Sequence, residues 1–274
     1  MSELVTVEIN EHVAHVRLNR PEKMNALSWP MFEAITATGR ELTTNKDVRA
    51  VVLSGEGRGF CAGLDLENFA SGDLNENFFG PGRGGFWPNF YQSPAYTWKS
   101  IPVPVICALH GVVYGGGFQI AMGADIRIAQ PDSKLSVMEI KWGLIPDMSA
   151  SQTLRDLVRL DVAKELTFTG RVVEAQEALA LGLVTRLEED PVNAALAMAR
   201  DIAGRSPDAI TYGKYLLDHG WHGNDMDGLR LEEKLQGRIL AKPNQMEAVM
   251  SGMEGRPGNF VPRQIETFED IGNL

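Results

Sequence analysis

IPVPVICALHGVVYGGGFQIAMGADIRIA, residues 101–129, is the stretch that decides the fold. From Ile101 to Ala124 it holds no Asp, Glu, Lys or Arg and is long enough to cross a bilayer. It also contains Pro102, Pro104, His110, Gln119 and five glycines, which interrupt any single membrane helix. The stretch therefore reads as a buried strand over 102–109, a tight turn, a glycine-started helix and a further strand over 125–129. An unbroken apolar strand is what a sheet covered on both faces requires. No membrane span is expected.

The same rhythm extends in both directions. Upstream, VTVEI and HVAHVRL alternate as the two arms of a β-hairpin with a turn at Asn10-Glu11. Ser28, with Pro30 in the first turn, caps a helix whose Leu27, Met31, Ile35, Thr38 and Leu42 recur at helical spacing. RAVVLS, residues 49–54, is another buried strand. Downstream of about residue 149 strand signals nearly vanish. Asp190-Pro191 and Ser206-Pro207 start helices, and Gly182 and Gly204 stop them. The expected class is α/β, with a core over 1–190 and a helical part over 191–274. Residues 71–88, rich in Gly, Asn and Phe and without a period, form a long loop bordering a site.

Composition narrows the function. With 274 residues, 44% hydrophobic and 23% charged, the chain can bury a large core. Its 26 Lys and Arg against 36 Asp and Glu give a formal charge of -10, which opposes nonspecific attraction to nucleic acid or anionic membrane. Cys61 and Cys107 stand apart with no metal or disulfide spacing, which fits a reducing, cytoplasmic compartment. MSELVTVEIN lacks the basic and apolar regions of an export signal.

Several chemistries fail on their motifs. No GxxxxGK[ST], HExxH or GxSxG is present. GRGFCA, residues 57–62, has the form of a dinucleotide fingerprint, but LDLENFASGD behind it is too broken to be the helix that would hold a pyrophosphate. His12 and His15 fall on a hairpin and point to opposite faces, so no metal is expected. His110 reads as a hydrogen-bonded strand-end residue rather than a base. Neither a metal nor a separate cofactor is implied.

More informative are two turns, FCAGLD at 60–65 and YGGGFQ at 114–119, each following a buried strand. Glycines that open a helix leave N–H groups unpaired at the positive end of its dipole and allow close approach of a ligand. Two such groups converging on one oxygen would form an oxyanion hole. Plain turn chemistry is the alternative that spacing alone leaves open.

The series NRPEKMNAL (19–27), VVLSGEGRGFCAGLDL (51–66), HGVVYGGGFQIAMGADIRIA (110–129) and TGRVVEAQEALALGLV (169–184) resembles the crotonase, or enoyl-CoA hydratase/isomerase, superfamily. The resemblance implies a spiral core of repeated ββα units, a helical C-terminal part that builds homotrimers or hexamers, and an acyl-CoA thioester substrate. It places the thioester oxygen on the backbone N–H groups of Leu64 and Gly116. It also implies that Arg20 and Lys23 meet the CoA phosphates, and that the backbone of Ala26, Ala62, Leu64, Asp65 and Leu66 holds the rest of the CoA. Phe78, Phe79, Phe86, Trp87, Phe90 and Trp98 could line an apolar acyl pocket, with core packing the alternative for each.

Carboxylates separate the reactions within this family. Of the two glutamates that brace water in typical hydratases, the resemblance maps the first onto Gln119 and the second onto Glu139. Glutamine can hold water but cannot take a proton near neutral pH. Glu139 and Asp147 are spaced like the acidic pair of dienoyl-CoA isomerases, which carry a further acid where this chain has Gln119. Ser149 and Gln152 form an S-x-x-Q capping box that leaves Asp147 free of capping duty. The expected activity is double-bond isomerisation of an enoyl- or dienoyl-CoA by Glu139 and Asp147. Hydration of a 2-enoyl-CoA with Gln119 positioning the water is the close alternative. A non-catalytic CoA- or RNA-binding protein, or other thioester chemistry on the same oxyanion hole, remains open.

Overall fold

A computed structural model of the chain describes residues 3–70, 88–265 and 267–272. The long loop expected over 71–88, with Phe78, Phe79, Phe86 and Trp87, lies almost wholly outside the described residues.

Strands β1 (Val5–Asn10) and β2 (Val13–Leu18) form the expected hairpin. Its two-residue loop is Glu11-His12, one residue beyond the expected turn, and both residues have positive φ. That is the turn geometry that matches the right-handed twist of two antiparallel strands. Helix α1 (Trp29–Thr44) follows, then β3 (Ala50–Gly55), the short α2 (Glu67–Ala70) and α3 (Ser93–Ser100). The stretch 101–129 becomes β4 (Val105–Leu109), β5 (Val112–Tyr114), α4 (Gly116–Met122) and β6 (Ile126–Ala129); β4 starts three residues later than expected, and β5 stands where only a tight turn is expected.

After β7 (Lys134–Ser136) come α5 (Ala150–Thr153), α6 (Leu160–Thr169), β8 (Val173–Glu174), α7 (Ala175–Leu181) and β9 (Arg186–Leu187). The chain ends in α8 (Pro191–Ala203), α9 (Pro207–Gly220), α10 (Asp225–Ile239), α11 (Pro243–Glu254) and α12 (Phe268–Gly272). Two of the expected caps form: Asp190 accepts from the Asn193 N–H and Ser206 from the Ala209 N–H, whereas Ser28 stands at the N-cap of α1 without a side-chain hydrogen bond. Gly182 ends α7 in the left-handed conformation.

The main sheet has the order β1-β2-β3-β4-β6-β9, antiparallel at the hairpin and parallel thereafter. The smaller sheet has the order β5-β7-β8. Alternation along each central strand separates two faces. Val51, Leu53, Val105, Cys107 and Leu109 join the large core beneath α1 and α3. Ala50, Val52, Ile106 and Ala108 meet Ala195, Ala199 and Ala203 of α8 on the other. Three alanines at four-residue spacing give that helix a flat stripe that sits close on the sheet. Gly39 does the same between helices, since a Cβ there would lie 2.1 Å from Thr97 Oγ1 of α3.

Two buried cations join the C-terminal part to this core. Arg263, 1% exposed, donates to the carbonyls of Thr43 and Asn45 at the end of α1. Lys214 of α9 donates to Asp125 (2.8 Å) and to the carbonyls of Val103 and Trp98. Trp98 is itself fully buried and belongs to the core, while Phe90 is half-buried and stacks on Phe32. Cys61 and Cys107 are buried free thiols, and burial pushes the Cys61 thiol up to about 12.

Candidate active site

The loop between β2 and α1 is shaped by Asn25, which is fully buried and holds φ of 54°. Its amide donates to the carbonyls of Glu56, Gly59 and Phe60, and its Oδ1 accepts from the Arg20 N–H. This clasps the loop against the turn after β3. Leu27 then pairs with the second loop: its N–H donates to Gly63 and its carbonyl accepts from Asp65. Both neighbours of Leu64 are thereby used, while the Leu64 N–H has no acceptor among the described residues. Gly63 has a φ of 92°, and a Cβ there would lie 2.8 Å from the Tyr114 carbonyl oxygen, so both conformation and space demand glycine.

That carbonyl belongs to the glycine turn, which is joined to the first by the bond from the Tyr114 N–H to Cys61 (3.0 Å). Gly115 turns the chain with a φ of 52°, and Gly116 opens α4. As the first residue of the helix, Gly116 has no intrahelical acceptor for its N–H. Leu64 and Gly116 line one cleft of about 370 Å³. Lys23, Ala26, Ala62, Asp65, Leu66 and Glu139 line it too, so it gathers the expected substrate-contacting residues apart from Arg20. Met138, Trp142 and Leu144 complete its wall, and no motif in the sequence singles them out.

Glu139 begins a single 3-10 turn and is 8% exposed. Its Oε1 accepts from Gln119 Nε2 at 2.6 Å, while its Oε2 is buried with no hydrogen-bond partner. Burial raises its pKa above the usual carboxylate value and the charge of Asp147 raises it further, against the lowering effect of its hydrogen bonds. Asp147 also titrates high because its carboxyl is desolvated, although the residue is open to solvent, which limits that effect. It lines a larger neighbouring cavity of about 990 Å³ together with Tyr96, Ser149 and Phe168. That cavity contains neither of the unpaired N–H groups, which belong to the smaller cleft, and Asp147 is near enough to Glu139 for its charge to bear on it. Tyr91 lies near enough for the Asp147 charge to add to the rise that burial causes in its own pKa.

Three expectations change. Gln119 is fully buried and its Oε1 accepts from the Ala150 N–H, so both ends of its amide are bonded to protein and not free to hold water. The S-x-x-Q box does not form: Ser149 is left-handed, with φ 72°, and its Oγ has no partner. Gln119 caps that helix from the side instead. Arg20 turns inward, donating to Asp65 (2.5 Å) and to the Ala26 carbonyl. Its charge is neutralised inside the loop and it braces the turn at Asp65. Lys23 reaches the cleft but pairs with Glu67 at 2.7 Å, an exposed contact that an arriving anion can displace.

His110 is half-buried and its Nε2 lies 3.0 Å from the Gly57 carbonyl oxygen, as a structural histidine should. Among the described residues, no group of three His, Cys, Asp or Glu could hold a metal and no helix is long and apolar enough to cross a membrane.

The sequence profile of the enoyl-CoA hydratase/isomerase family matches residues 8–263. The chain belongs to this family. Within it, the mouse mitochondrial Delta(3,5)-Delta(2,4)-dienoyl-CoA isomerase is 35% identical over 90% of this chain and 78% of its own length. The mouse mitochondrial methylglutaconyl-CoA hydratase is 29% identical over 92% of this chain and 81% of its own. An enoyl-CoA hydratase from Bacillus anthracis, solved by crystallography, superposes with a TM-score of 0.85 at 28% identity, covering 94% of this chain and 98% of that one. The enoyl-CoA hydratase/isomerase fold expected from the motifs is thus the fold observed.

Proposed function

We propose that this family member moves a double bond along the acyl chain of an enoyl- or dienoyl-CoA. The observation that carries the proposal is the state of the three side chains behind the cleft. Gln119 is locked at both ends, Glu139 has one unpartnered oxygen, and Asp147 stands nearby with a raised pKa. One proton-accepting group in the cleft suits transfer between carbons. Addition of water would ask for a second group at residue 119 to hold and activate it.

In this scheme the thioester oxygen sits on the Leu64 and Gly116 N–H groups. The Glu139 carboxylate takes a proton from an acyl carbon, and the electron pair flows into the carbonyl to give an enolate. The two N–H groups meet the developing negative charge; each such donor is worth about 3 kcal/mol in comparable sites. As the pair returns, Glu139 or a protonated Asp147 delivers a proton to a carbon farther along, leaving the double bond moved. If Asp147 is the donor, its access to solvent lets it recover the proton while Glu139 releases its own. The raised pKa of Glu139 makes it a stronger base toward carbon than an ordinary carboxylate.

CoA would run along Ala26 and residues 62–66, with Lys23 exchanging Glu67 for a phosphate. The helical part over 191–274 would form subunit contacts of a homotrimer or hexamer. Exposed Met246, Val249, Met250 and Met253 on α11 support that reading.

The test is a paired assay on the purified protein with a 2-enoyl-CoA and, separately, a 3-enoyl- and a 3,5-dienoyl-CoA, products being separated by mass and retention. Migration of the double bond without gain of water is expected. Hydration of the 2-enoyl-CoA as the main reaction would overturn the proposal.

A further inference from the structure

We infer that Gln119 is a positioning residue that fixes the orientation of the Glu139 carboxylate and holds it in register with the segment carrying Asp147. The inference rests on the isomerase reading of the same cleft and concerns a residue behind it that touches no substrate.

The geometry is that of a strut. Gln119 projects from α4, the helix that also supplies the Gly116 N–H, and its side chain is entirely shielded from solvent. One end donates to Glu139 Oε1 at 2.6 Å; the other accepts from the Ala150 N–H at 3.2 Å. Ala150 opens α5, three residues after Asp147. The residue that should cap α5, Ser149, has a left-handed backbone and an unbonded Oγ, so this cap comes from Gln119. A single amide therefore connects the oxyanion helix, the base and the Asp147 segment.

The residue type follows from the bonds. The strut must donate at one end and accept at the other, and near neutral pH glutamine does both without charge. An ionised glutamate would accept from Ala150 but repel Glu139, and a leucine would do neither. The bond at Oε1 holds the Glu139 carboxylate in one orientation beside the glycine turn, where Oε1 would lie 3.6 Å from a Cβ at Gly115. The charged groups around Glu139 are Asp147 from the loop before α5, Asp65 and Glu67 from the second loop, and Lys23 from the first. Of these, Asp147 is the one whose charge bears on it, raising its pKa. Losing the Gln119 bond removes an interaction that favours the ionised form, so the Glu139 titration moves upward.

The test compares the full-length parent with Gln119→Leu, Gln119→Glu and Glu139→Gln, measuring kcat and KM on enoyl- and dienoyl-CoA across pH, with thermal unfolding of each. For Gln119→Leu, kcat falls about a hundredfold with KM little changed, as for a base displaced by about 1 Å. The acid limb of its profile moves to higher pH. Gln119→Glu keeps the side-chain volume and tests the strut even if the leucine variant does not fold. Its protonated carboxyl can donate to Glu139, so it recovers activity on the acid side of the profile and loses it as the shared proton leaves.

Parent-like kcat and an unmoved acid limb in Gln119→Leu would overturn the inference. So would a Gln119→Glu profile parallel to the parent's at every pH. Glu139→Gln separates the two levels: if it is inactive while both residue 119 variants behave as the parent, only the strut is wrong. If it turns over normally, the reading of Glu139 as the base fails as well.

Discussion

Gly117→Ala is the sharpest probe of the proposed oxyanion hole. A Cβ at residue 117 would lie 2.6 Å from both Cβ and the carbonyl oxygen of Cys61, and 2.8 Å from its Sγ. Ordinary contact needs about 3.5 Å or more, and Cys61 is a buried residue bridged to Val113, so it has nowhere to go. The start of α4 must retreat by roughly 1 Å, taking the Gly116 N–H away from the oxygen it is to hold, a displacement that costs about a hundredfold in rate. Loss of one donor from such a hole costs about 10²- to 10³-fold in kcat, and overpacking adds about 1–3 kcal/mol of lost stability.

Gly39→Ala is the control. It is at least as crowded, with a Cβ 2.1 Å from Thr97 Oγ1, but it lies between α1 and α3 away from the cleft. Steady-state kinetics and thermal unfolding of both variants decide the matter. Both should melt early, and only Gly117→Ala should lose kcat. Equal kcat in the two variants would refute the placement of the hole.

Lys214→Met should lower the melting temperature by about 10 °C, because removing one partner of a buried ion pair costs about 3–5 kcal/mol and here also leaves the Val103 and Trp98 carbonyls unmet. Calorimetry checks it. Glu139→Gln should melt above the parent at neutral pH. The folded pKa of Glu139 is raised, so its contribution to stability is fully present below the ordinary value of 4.5 and is lost as pH rises through the folded pKa. The gap between variant and parent should therefore widen from acid to neutral pH in thermal melts. Cys61 and Cys107 should resist a thiol reagent in the native protein and react once guanidinium unfolds it, since both are buried with raised pKa values.

What could be read in advance follows the range of the interactions. The strands of 101–129 were legible because burial on both faces writes itself as a continuous apolar run with glycine and proline at its ends. The caps at Asp190 and Ser206 were legible because a cap is a contact over three residues. The turn at Glu11-His12 slipped by one position, since strand twist rather than residue type set its place.

The site divides in the same way. Leu64, Gly116 and Glu139 were placed by the resemblance of the surrounding stretches to the enoyl-CoA hydratase/isomerase family. The inward path of Arg20 depends on Asp65, 45 residues on, and the two hydrogen bonds of Gln119 depend on Glu139 and Ala150. No local pattern encodes such pairings. Asn25 was missed for the same reason, although its three carbonyl partners hold the first loop in place.

The two donors proposed to hold the thioester oxygen belong to the main chain at Leu64 and Gly116. Alanine scanning, which deletes side chains, is blind to them: every variant keeps its amides. To excise one alone would take an ester in place of the peptide link, a one-atom change made by chemical synthesis or an expanded genetic code. The same immunity means that drift in side chains leaves the grip on the carbonyl untouched while the groups beside it change. The trace of the backbone thus carries the shared half of the chemistry, and inheritance of the fold is inheritance of that half.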